Sequence, residues 1–289
     1  MLKKLDKILI ILLIVTLFII GRGYFKDKNS SQVQGDIESA NELKVYYLDV
    51  GQGDSTLIRT PGGQDILIDG GPDNTVIGKL GKYLPVNDWD IELMILSHPH
   101  SDHVTGLVEV LKRYQVDEIW MTGAIHTSGD YLELLNLIKE NNIKVKFVSS
   151  SEIVELENNL EIEIFYPIES FFETKMESLN NTSIVFNLSY GATSFLFTGD
   201  FEQEEGLVDL FDFRTDVYQV GHHGSNNGND REFLEAVDPD WAVISVGEDN
   251  RYGHPQYRTL KNFENLGVDV LRTDQNGDVI FVSNGSRIE

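Results

Sequence analysis

The chain has 289 residues, of which 41% are hydrophobic and 24% charged, and this composition excludes a wholly disordered or collagen-like protein. It contains no cysteine, which excludes disulfides, cysteine-ligated metal sites and a cysteine nucleophile. The formal net charge is −24, and residues 36–289 alone carry 17 basic and 45 acidic side chains, a net charge of −28. Such a surface repels polyanions unless metal ions or a local basic strip offset the repulsion.

The N-terminal segment has the pattern of a signal-anchor or signal peptide. Three lysines precede an apolar run from Ile8 to Ile20, which is shorter than the roughly 20 residues that a membrane-spanning helix needs. Tyr24 and Phe25 could extend the run at the membrane interface, and no small-residue cleavage site follows it, so an uncleaved anchor is favoured over a cleaved peptide. Positive charge before the run would keep that end cytoplasmic and place the rest of the chain outside. We therefore predict an anchor or signal at 1–25 and a flexible polar linker at 26–42.

Residues 43–289 are predicted to form one folded domain in which strands alternate with amphipathic helices. Helices are predicted at Val76–Leu84, Val104–Tyr114, Tyr131–Glu140, Glu202–Leu210 and 256–266. Strands are predicted at Lys44–Val50, Ser55–Thr60, Asp65–Asp69, Leu93–Ser97, Val116–Met121, Lys144–Val148, 160–166, 184–190, 193–198, Asp216–Val220, Ala242–Val246, 268–272 and 278–282. Strand meanders mixed with helices predict two sheets with helices packed outside them.

Six of the seven histidines lie in three short segments that follow predicted strands, where loops present side chains from a rigid scaffold. In the first segment, His98 and His100 project to the same side of an extended backbone, and Asp102 and His103 lead into the next helix. Four such ligands within six residues could hold two metal ions side by side, and imidazole with carboxylate suits zinc, manganese or iron. Asp102 could instead cap the helix.

The other segments are less specific when each is taken alone. Asp200 ends an apolar strand after Gly199, where a carboxylate could bridge two cations or simply form a turn. His222 and His223 are adjacent and should diverge, so one would bind metal while the other faces the substrate or supports a ligand. His254 precedes a proline and could donate a proton, bind an anionic oxygen or only shape the turn.

Taken together, these segments resemble the HxHxDH signature of the metallo-β-lactamase superfamily, and the fuller set resembles its ComEC-like branch, named for the C-terminal domain of competence DNA-uptake proteins. That branch is also similar to a teichoic-acid phosphorylcholine esterase domain. The segments that carry the resemblance are His98–His103, Leu48–Ser55, Ile68–Gly71, Asn181–Ser183, Thr198–Asp200, His222–Ser225 and Gly253–Pro255. The resemblance implies an α/β (α+β) fold, a four-layer αββα metallo-β-lactamase sandwich over residues 43–289, with metal ions at one edge of the sheets.

The resemblance further implies two divalent metal ions, zinc or manganese. It assigns metal one to His98 and His100. It assigns metal two to Asp102, His103 and His222, with His223 as the alternative to His222, and Asp200 as the bridge between the ions. One departure is clear, because the wider superfamily has a further histidine on metal one before the bridging aspartate and Leu179–Ser183 contains none. Asn181 is a weak ligand, so metal one would be loosely held or completed by water.

Two further sets of residues complete the implied site. The residues that would orient the metal ligands without binding an ion themselves are Asp69, Asn181 and Ser225. The groups that would act in catalysis are Asp102, His223 and His254.

The implied function is a metal-dependent hydrolase outside the cytoplasmic membrane that cleaves phosphodiester or phosphate ester bonds with water activated between two ions. A nuclease-like enzyme would act on single-stranded DNA. A cell-envelope phosphorylcholine or phosphodiester esterase is the alternative that the negative charge favours, and a non-catalytic metal-binding surface module is a third. The expected partners are a phosphate-ester substrate and the membrane through residues 1–25, with no obligate protein partner.

Overall fold

The computed structural model describes residues 41–289. The predicted N-terminal anchor lies outside the described residues, and so does the predicted linker except for its last two residues. Within residues 41–289, no helix combines the length and the apolar character needed to cross a bilayer.

Two mixed sheets of seven strands each form the centre of the fold. The first contains β1 (Leu43–Tyr47), β2 (Thr56–Arg59), β3 (Asp65–Ile68), β4 (Asp90–Ile95), β5 (Gln115–Met121), β6 (Lys144–Phe147) and β14 (Val279–Ser283). The second contains β7 (Glu152–Glu157), β8 (Leu160–Tyr166), β9 (Val185–Tyr190), β10 (Thr193–Phe197), β11 (Val217–Gln219), β12 (Trp241–Ile244) and β13 (Asp269–Arg272). Their orders are β14-β1-β2-β3-β4-β5-β6 and β13-β12-β11-β10-β9-β8-β7. Each sheet is antiparallel in one half and parallel in the other, and the parallel halves are β3 to β6 and β10 to β13.

Helices cover the outer face of each sheet. Those on the first sheet are α1 (Thr75–Tyr83), α2 (Ser101–Leu111) and α3 (Gly129–Glu140). Those that follow in the second half of the chain are α4 (Glu205–Val208), α5 (Arg231–Val237), α6 (Tyr257–Leu266) and α7 (Thr273–Asn276). Asn180–Thr182 and Gly221–Gly224 form short 3₁₀ turns.

The alternation of side chains along each strand divides the core into three layers. In β1, Val45 and Tyr47 point between the two sheets, whereas Tyr46 points outward towards the helices. In the second sheet, Phe195 and Phe197 face the first sheet, while Leu196 packs among α4 to α6. Strands that are buried on both faces consist of continuous apolar runs, and such runs are easily recognised in the sequence. The predicted four-layer αββα sandwich is confirmed.

The structure differs from the sequence prediction at a few elements. Helix α2 begins at Ser101, three residues before the predicted start, so Asp102 lies in its first turn. The residue before the helix is His100, and its side chain makes no capping hydrogen bond. Neither β7, a half-exposed edge strand rich in glutamate, nor the short helix α5 is predicted from the sequence pattern.

Candidate metal centre

The predicted metal-binding segments meet at one edge of the sandwich. The loop after β4 carries His98 and His100, the turn after β10 carries Asp200, and the 3₁₀ turn after β11 carries His222 and His223. β4 lies in the parallel half of the first sheet, and β10 and β11 begin the parallel half of the second. The carboxyl ends of these strands therefore bring together loops that are more than 100 residues apart in the chain.

Asp200 lies at the centre of this cluster and is 2% exposed. Its Oδ1 is 3.4 Å from His103 Nε2 and 3.8 Å from His223 Nε2. Its Oδ2 is 3.7 Å from His98 Nε2 and 3.8 Å from His222 Nε2. Each oxygen of one buried carboxylate thus faces two imidazoles, one from each histidine-bearing loop.

Within the described part of the chain, three sets of side chains have donor atoms that all lie within 4.8 Å of one another, close enough to hold a metal ion. One of them, Asp54, Asp69 and His103, does not include Asp200. The other two, here called the metal-compatible sets, are Asp102, His103, Asp200 and His223, and His98, His100 and Asp200. They share Asp200, as expected of a carboxylate that bridges two ions.

Buried polar atoms in the first metal-compatible set test whether a metal ion fits there. His103 Nε2, His223 Nε2 and Asp200 Oδ1 are buried, and within residues 41–289 none has a hydrogen-bond partner. Leaving such atoms unpaired costs about 1–3 kcal/mol each. A divalent cation among them would satisfy all three, and imidazole with carboxylate is a donor set suited to zinc, manganese or iron. The residues therefore fit a metal ion.

The electrostatics of the cluster also favour a cation. Burial would lower the pKa of His103, but the carboxylates of Asp200 and Asp69 raise that pKa well above its usual value. Burial would raise the pKa of Asp200, yet the imidazoles of His103 and His223 hold it well below the usual range. Burial together with His103 lowers the pKa of His98. Protons and a metal ion therefore compete for the same imidazole nitrogens, and metal binding should release protons.

The two adjacent histidines occupy different sides of the centre. His223 Nε2 lies 3.4 Å from Asp102 Oδ2, whereas His222 Nδ1 lies 2.9 Å from Glu202 Oε1. From the sequence, His222 is predicted on metal two with His223 as the alternative, and in the structure His223 is the one that lies with Asp102 and His103. Both histidines have left-handed φ angles, 49° and 52°, a conformation that costs about 1–2 kcal/mol per residue and cannot be read from residue order.

Asp69 and Asp54 lie behind the ligands. Asp69 accepts hydrogen bonds from the Ser97 backbone N–H and hydroxyl, and its Oδ2 is 2.8 Å from His103 Nδ1, which leaves Nε2 of that imidazole facing Asp200. A carboxylate in the position of Asp69 fixes the orientation of a metal-binding imidazole. His223 is oriented by a carbonyl instead, because its Nδ1 lies 2.9 Å from the backbone oxygen of Ser245. Asp54, within the Leu48–Ser55 motif, is 1% exposed and lies 3.2 Å from the same nitrogen, but within residues 41–289 neither of its carboxylate oxygens has a hydrogen-bond partner.

The remaining predicted residues lie at the margins of the centre. Asn181 Oδ1 accepts a hydrogen bond from the Glu202 backbone N–H, and Ser225 N–H closes the histidine turn by donating to the carbonyl of His222. The ring centroid of His254 is 5.4 Å from that of His222, and burial together with His223 lowers the pKa of His254 to about 4. A neutral His254 suits the binding of an anionic oxygen better than the delivery of a proton. The seventh histidine, His126, belongs to neither metal-compatible set, and its ring centroid lies 6.2 Å from that of His100.

A buried carboxyl group beneath the histidine turn should make the stability of the fold depend on pH. Glu204 is 3% exposed and accepts a hydrogen bond from the Asn229 backbone N–H, and burial raises its pKa to about 7. The pKa of Glu204 is higher in the folded protein than in the unfolded chain, so the protonated carboxyl group favours the folded state. This contribution to the free energy of unfolding is complete below about pH 4.5 and is lost as the pH rises through about 7. The loss amounts to about 3 kcal/mol. We expect Glu204→Gln to remove this loss, as urea unfolding of both proteins at pH 5 to 8 in EDTA would show.

The matched control for this prediction is Glu205→Gln, because Glu205 is exposed one residue further along. That variant should keep the pH dependence of the parent. If Glu204→Gln and the parent lose stability equally between pH 5 and 8, Glu204 is not the group responsible.

Comparison with known proteins places this geometry in a family. The model of the metallo-β-lactamase superfamily matches residues 48–248. The chain is 27% identical over 260 residues to ComE operon protein 3 of Bacillus subtilis (strain 168), covering 83% of this chain and 33% of that protein. It is 28% identical over 253 residues to competence protein ComA of Neisseria gonorrhoeae, covering 83% and 32%. The chain thus spans about a third of the length of these curated relatives.

Solved structures share the fold at low sequence identity. CmlA, a diiron β-hydroxylase from Streptomyces venezuelae, superposes with a TM-score of 0.52 at 16% identity, covering 83% of this chain and 54% of that one. Zn²⁺-bound PqqB from Methylobacterium extorquens gives a TM-score of 0.52 at 12% identity, covering 79% and 87%. Given the family match over most of its length and its paired metal-compatible sets, the chain belongs to the metallo-β-lactamase superfamily.

Proposed function

We propose that this protein is a metal-dependent hydrolase that cleaves phosphodiester or phosphate ester bonds. The observation that carries the proposal is Asp200, a buried carboxylate whose two oxygens face two separate sets of metal-compatible side chains. Two divalent ions held there, zinc or manganese, would lower the pKa of a shared water towards neutrality and stabilise negative charge on the substrate.

The residues around the ions would hold and orient the reacting groups. Asp69 and the Ser245 carbonyl keep the imidazoles of His103 and His223 in place, so the donor atoms are ordered before the substrate arrives. Asp102 would be a ligand that also faces the substrate side, since it lies on the wall of the adjoining cavity. His254 would donate a hydrogen bond to an anionic substrate oxygen.

Two cavities flank the centre and differ in charge. The first, of about 530 Å³, has one basic and two acidic side chains in its wall, Arg251, Asp102 and Asp249, together with the 57% exposed Tyr252. The second, of about 560 Å³, adjoins Glu202 and is lined by the carboxylates of Glu169, Glu202, Glu205 and Asp230. Arg251 could bind a phosphate and Tyr252 could stack on a base, as single-stranded nucleic acid requires.

The acidic second cavity supports a second candidate function. Its described lining residues include no lysine or arginine, and the half-buried Tyr166 supplies aromatic surface. Carboxylates beside aromatic rings suit a cationic group such as the quaternary ammonium of phosphorylcholine. A cell-envelope phosphodiester with a cationic group is therefore the alternative substrate. In either case we propose that residues 1–25 hold the hydrolase at the outer face of the membrane.

A substrate panel tests the proposal. The purified full-length chain, loaded with Mn²⁺ or Zn²⁺, would be assayed on bis(4-nitrophenyl) phosphate, labelled single-stranded DNA and 4-nitrophenyl phosphorylcholine. We expect hydrolysis of the first substrate, and the other two decide between a nuclease and an esterase. His98→Ala should abolish turnover, and His126→Ala, which changes a histidine outside both sets, should not. Two bound ions without turnover of any phosphodiester would contradict the proposal and favour a non-catalytic metal-binding module.

A further inference from the structure

The segment Leu179–Ser183, which lacks the histidine that the superfamily uses on metal one, supports a glutamate instead. Asn180 Nδ2 donates a hydrogen bond to Glu202 Oε1 at 3.1 Å, and Asn181 Oδ1 accepts one from the Glu202 backbone N–H at 3.1 Å. Asn227 Nδ2 also donates to Glu202 Oε1, at 3.2 Å. Two asparagines therefore hold the carboxylate of Glu202, and a third holds its backbone, beside the metal centre.

Glu202 in turn lies against His222. The distance from His222 Nδ1 to Glu202 Oε1 is 2.9 Å, and Asn180 Nδ2 lies 3.5 Å from the same nitrogen. The nearer carboxylate favours a proton on Nδ1. The lone pair of Nε2 is then free, and Nε2 is the atom that faces Asp200. A carboxylate behind an imidazole whose other nitrogen points into a metal centre is the usual arrangement of a metal-binding histidine.

The distances to Asp200 assign His222 to one side of the centre. Asp200 Oδ2 lies 3.7 Å from His98 Nε2 and 3.8 Å from His222 Nε2. Two ligands that each lie about 2.0–2.2 Å from one ion are separated by no more than about 4 Å, so each of these two pairs fits a shared ion. His222 is not among the donors that lie within 4.8 Å of one another at His98, His100 and Asp200, so its imidazole would have to move towards them when the ion binds. The other oxygen of Asp200 faces His103 and His223.

The backbone of the turn explains how neighbouring histidines serve different ions. In an extended chain their side chains would point to opposite sides of the strand. Here both residues are left-handed, and the His222 backbone N–H donates to the carbonyl of Gly199, next to Asp200. The two imidazoles consequently straddle one carboxylate, with His222 on the Oδ2 side and His223 on the Oδ1 side.

We infer that His222 supplies the third imidazole of metal one, in place of the missing superfamily histidine, and that Glu202 positions it. Metal one would then be held by His98, His100, His222 and Asp200. Metal two would be held by Asp102, His103, His223 and Asp200. The inference rests on the two-metal centre of the proposed function but makes no assumption about the substrate.

Calorimetric titration of the metal-depleted full-length chain with Mn²⁺ tests the inference without any assay of activity. The parent should bind two ions. His222→Asn should weaken one of them at least about 100-fold and leave the other unchanged, because asparagine tolerates the left-handed backbone but is too short to reach the ion. His126→Asn is the matched control and should bind both ions like the parent.

Double variants identify which ion His222 holds. Added to His98→Ala, His222→Asn should cause no further loss, since both changes act on the same ion. Added to His103→Ala, it should weaken the remaining ion as strongly as it does in the parent background. Glu202→Gln, which alters only the positioning group, should weaken the same ion about 10-fold.

Each outcome has a definite meaning. If His222→Asn binds two ions with parental affinity, or if its effect appears with His98→Ala but not with His103→Ala, the inference is wrong while the proposed function stands. If the parent binds fewer than two ions, the two-metal centre itself is wrong. If the parent binds two ions and His222→Asn loses one, but no phosphodiester is hydrolysed, the inference stands and the proposed function fails.

Discussion

Asp200→Asn is expected to reduce hydrolysis by about 1,000-fold and to lower the number of tightly bound metal ions from two to one at most. The reason is that Asp200 is the residue shared by both metal-compatible sets, with one oxygen facing each. An amide keeps the size of the side chain but loses its charge and one acceptor oxygen, so it cannot bridge two cations. Steady-state kinetics and elemental analysis of the dialysed protein measure the two effects.

Asp117→Asn is the control for Asp200→Asn, because Asp117 is exposed on β5, outside both metal-compatible sets. It should keep parental activity and metal content. Thermal unfolding of each variant separates loss of the site from loss of the fold. A folded Asp200→Asn protein with two bound ions and activity within tenfold of the parent would show that Asp200 does not bridge.

Much of the fold is encoded in short-range pattern. Strands such as β3 and β10 are buried on both faces, so hydrophobicity alone marks them in the sequence. β7 escaped prediction because it pairs on one side only, contains three glutamates, and buries its aliphatic residues only in part, with Ile153 exposed. The order of the two sheets depends on pairings between distant strands, such as β1 with β14, and periodicity carries no information about those.

The metal centre was predictable to the extent that its spacing is local. His98, His100 and His103 lie within six residues, and their spacing around a strand–helix junction indicates a common site. The choice between His222 and His223 depends instead on two left-handed residues, a conformation that the sequence does not specify. The role of Glu202 could not be inferred from the sequence, because only the fold brings Asn180 and His222 into contact with it.

Helix α2 packs against the turn at Gly70 and Gly71 so closely that there is no room for a methyl group on Gly106. Gly106→Ala should therefore be the most destabilising small substitution in the fold. Gly106 lies in α2 and its backbone N–H donates to the carbonyl of Gly71. A Cβ atom there would lie 1.8 Å from the carbonyl oxygen of Gly70 and 2.9 Å from that of Asp73. These are backbone atoms, so helix α2 itself must move away from the turn. We expect a loss of about 3 kcal/mol or more in urea unfolding, despite the better helix propensity of alanine.

The same displacement should reach the metal centre, because His103 occupies the first turn of α2 and its carbonyl accepts a hydrogen bond from Gly70. Gly106→Ala should therefore also weaken metal binding. Gly78→Ala is the matched control, since Gly78 lies in α1 and a Cβ there meets nothing within 4 Å. It should stabilise the protein by about 0.5–1 kcal/mol. Equal stability of the two variants would mean that α2 can shift freely. The loop that carries His98 and His100 would then be held in place by the side chains of Asp69 and Ser97 rather than by backbone packing.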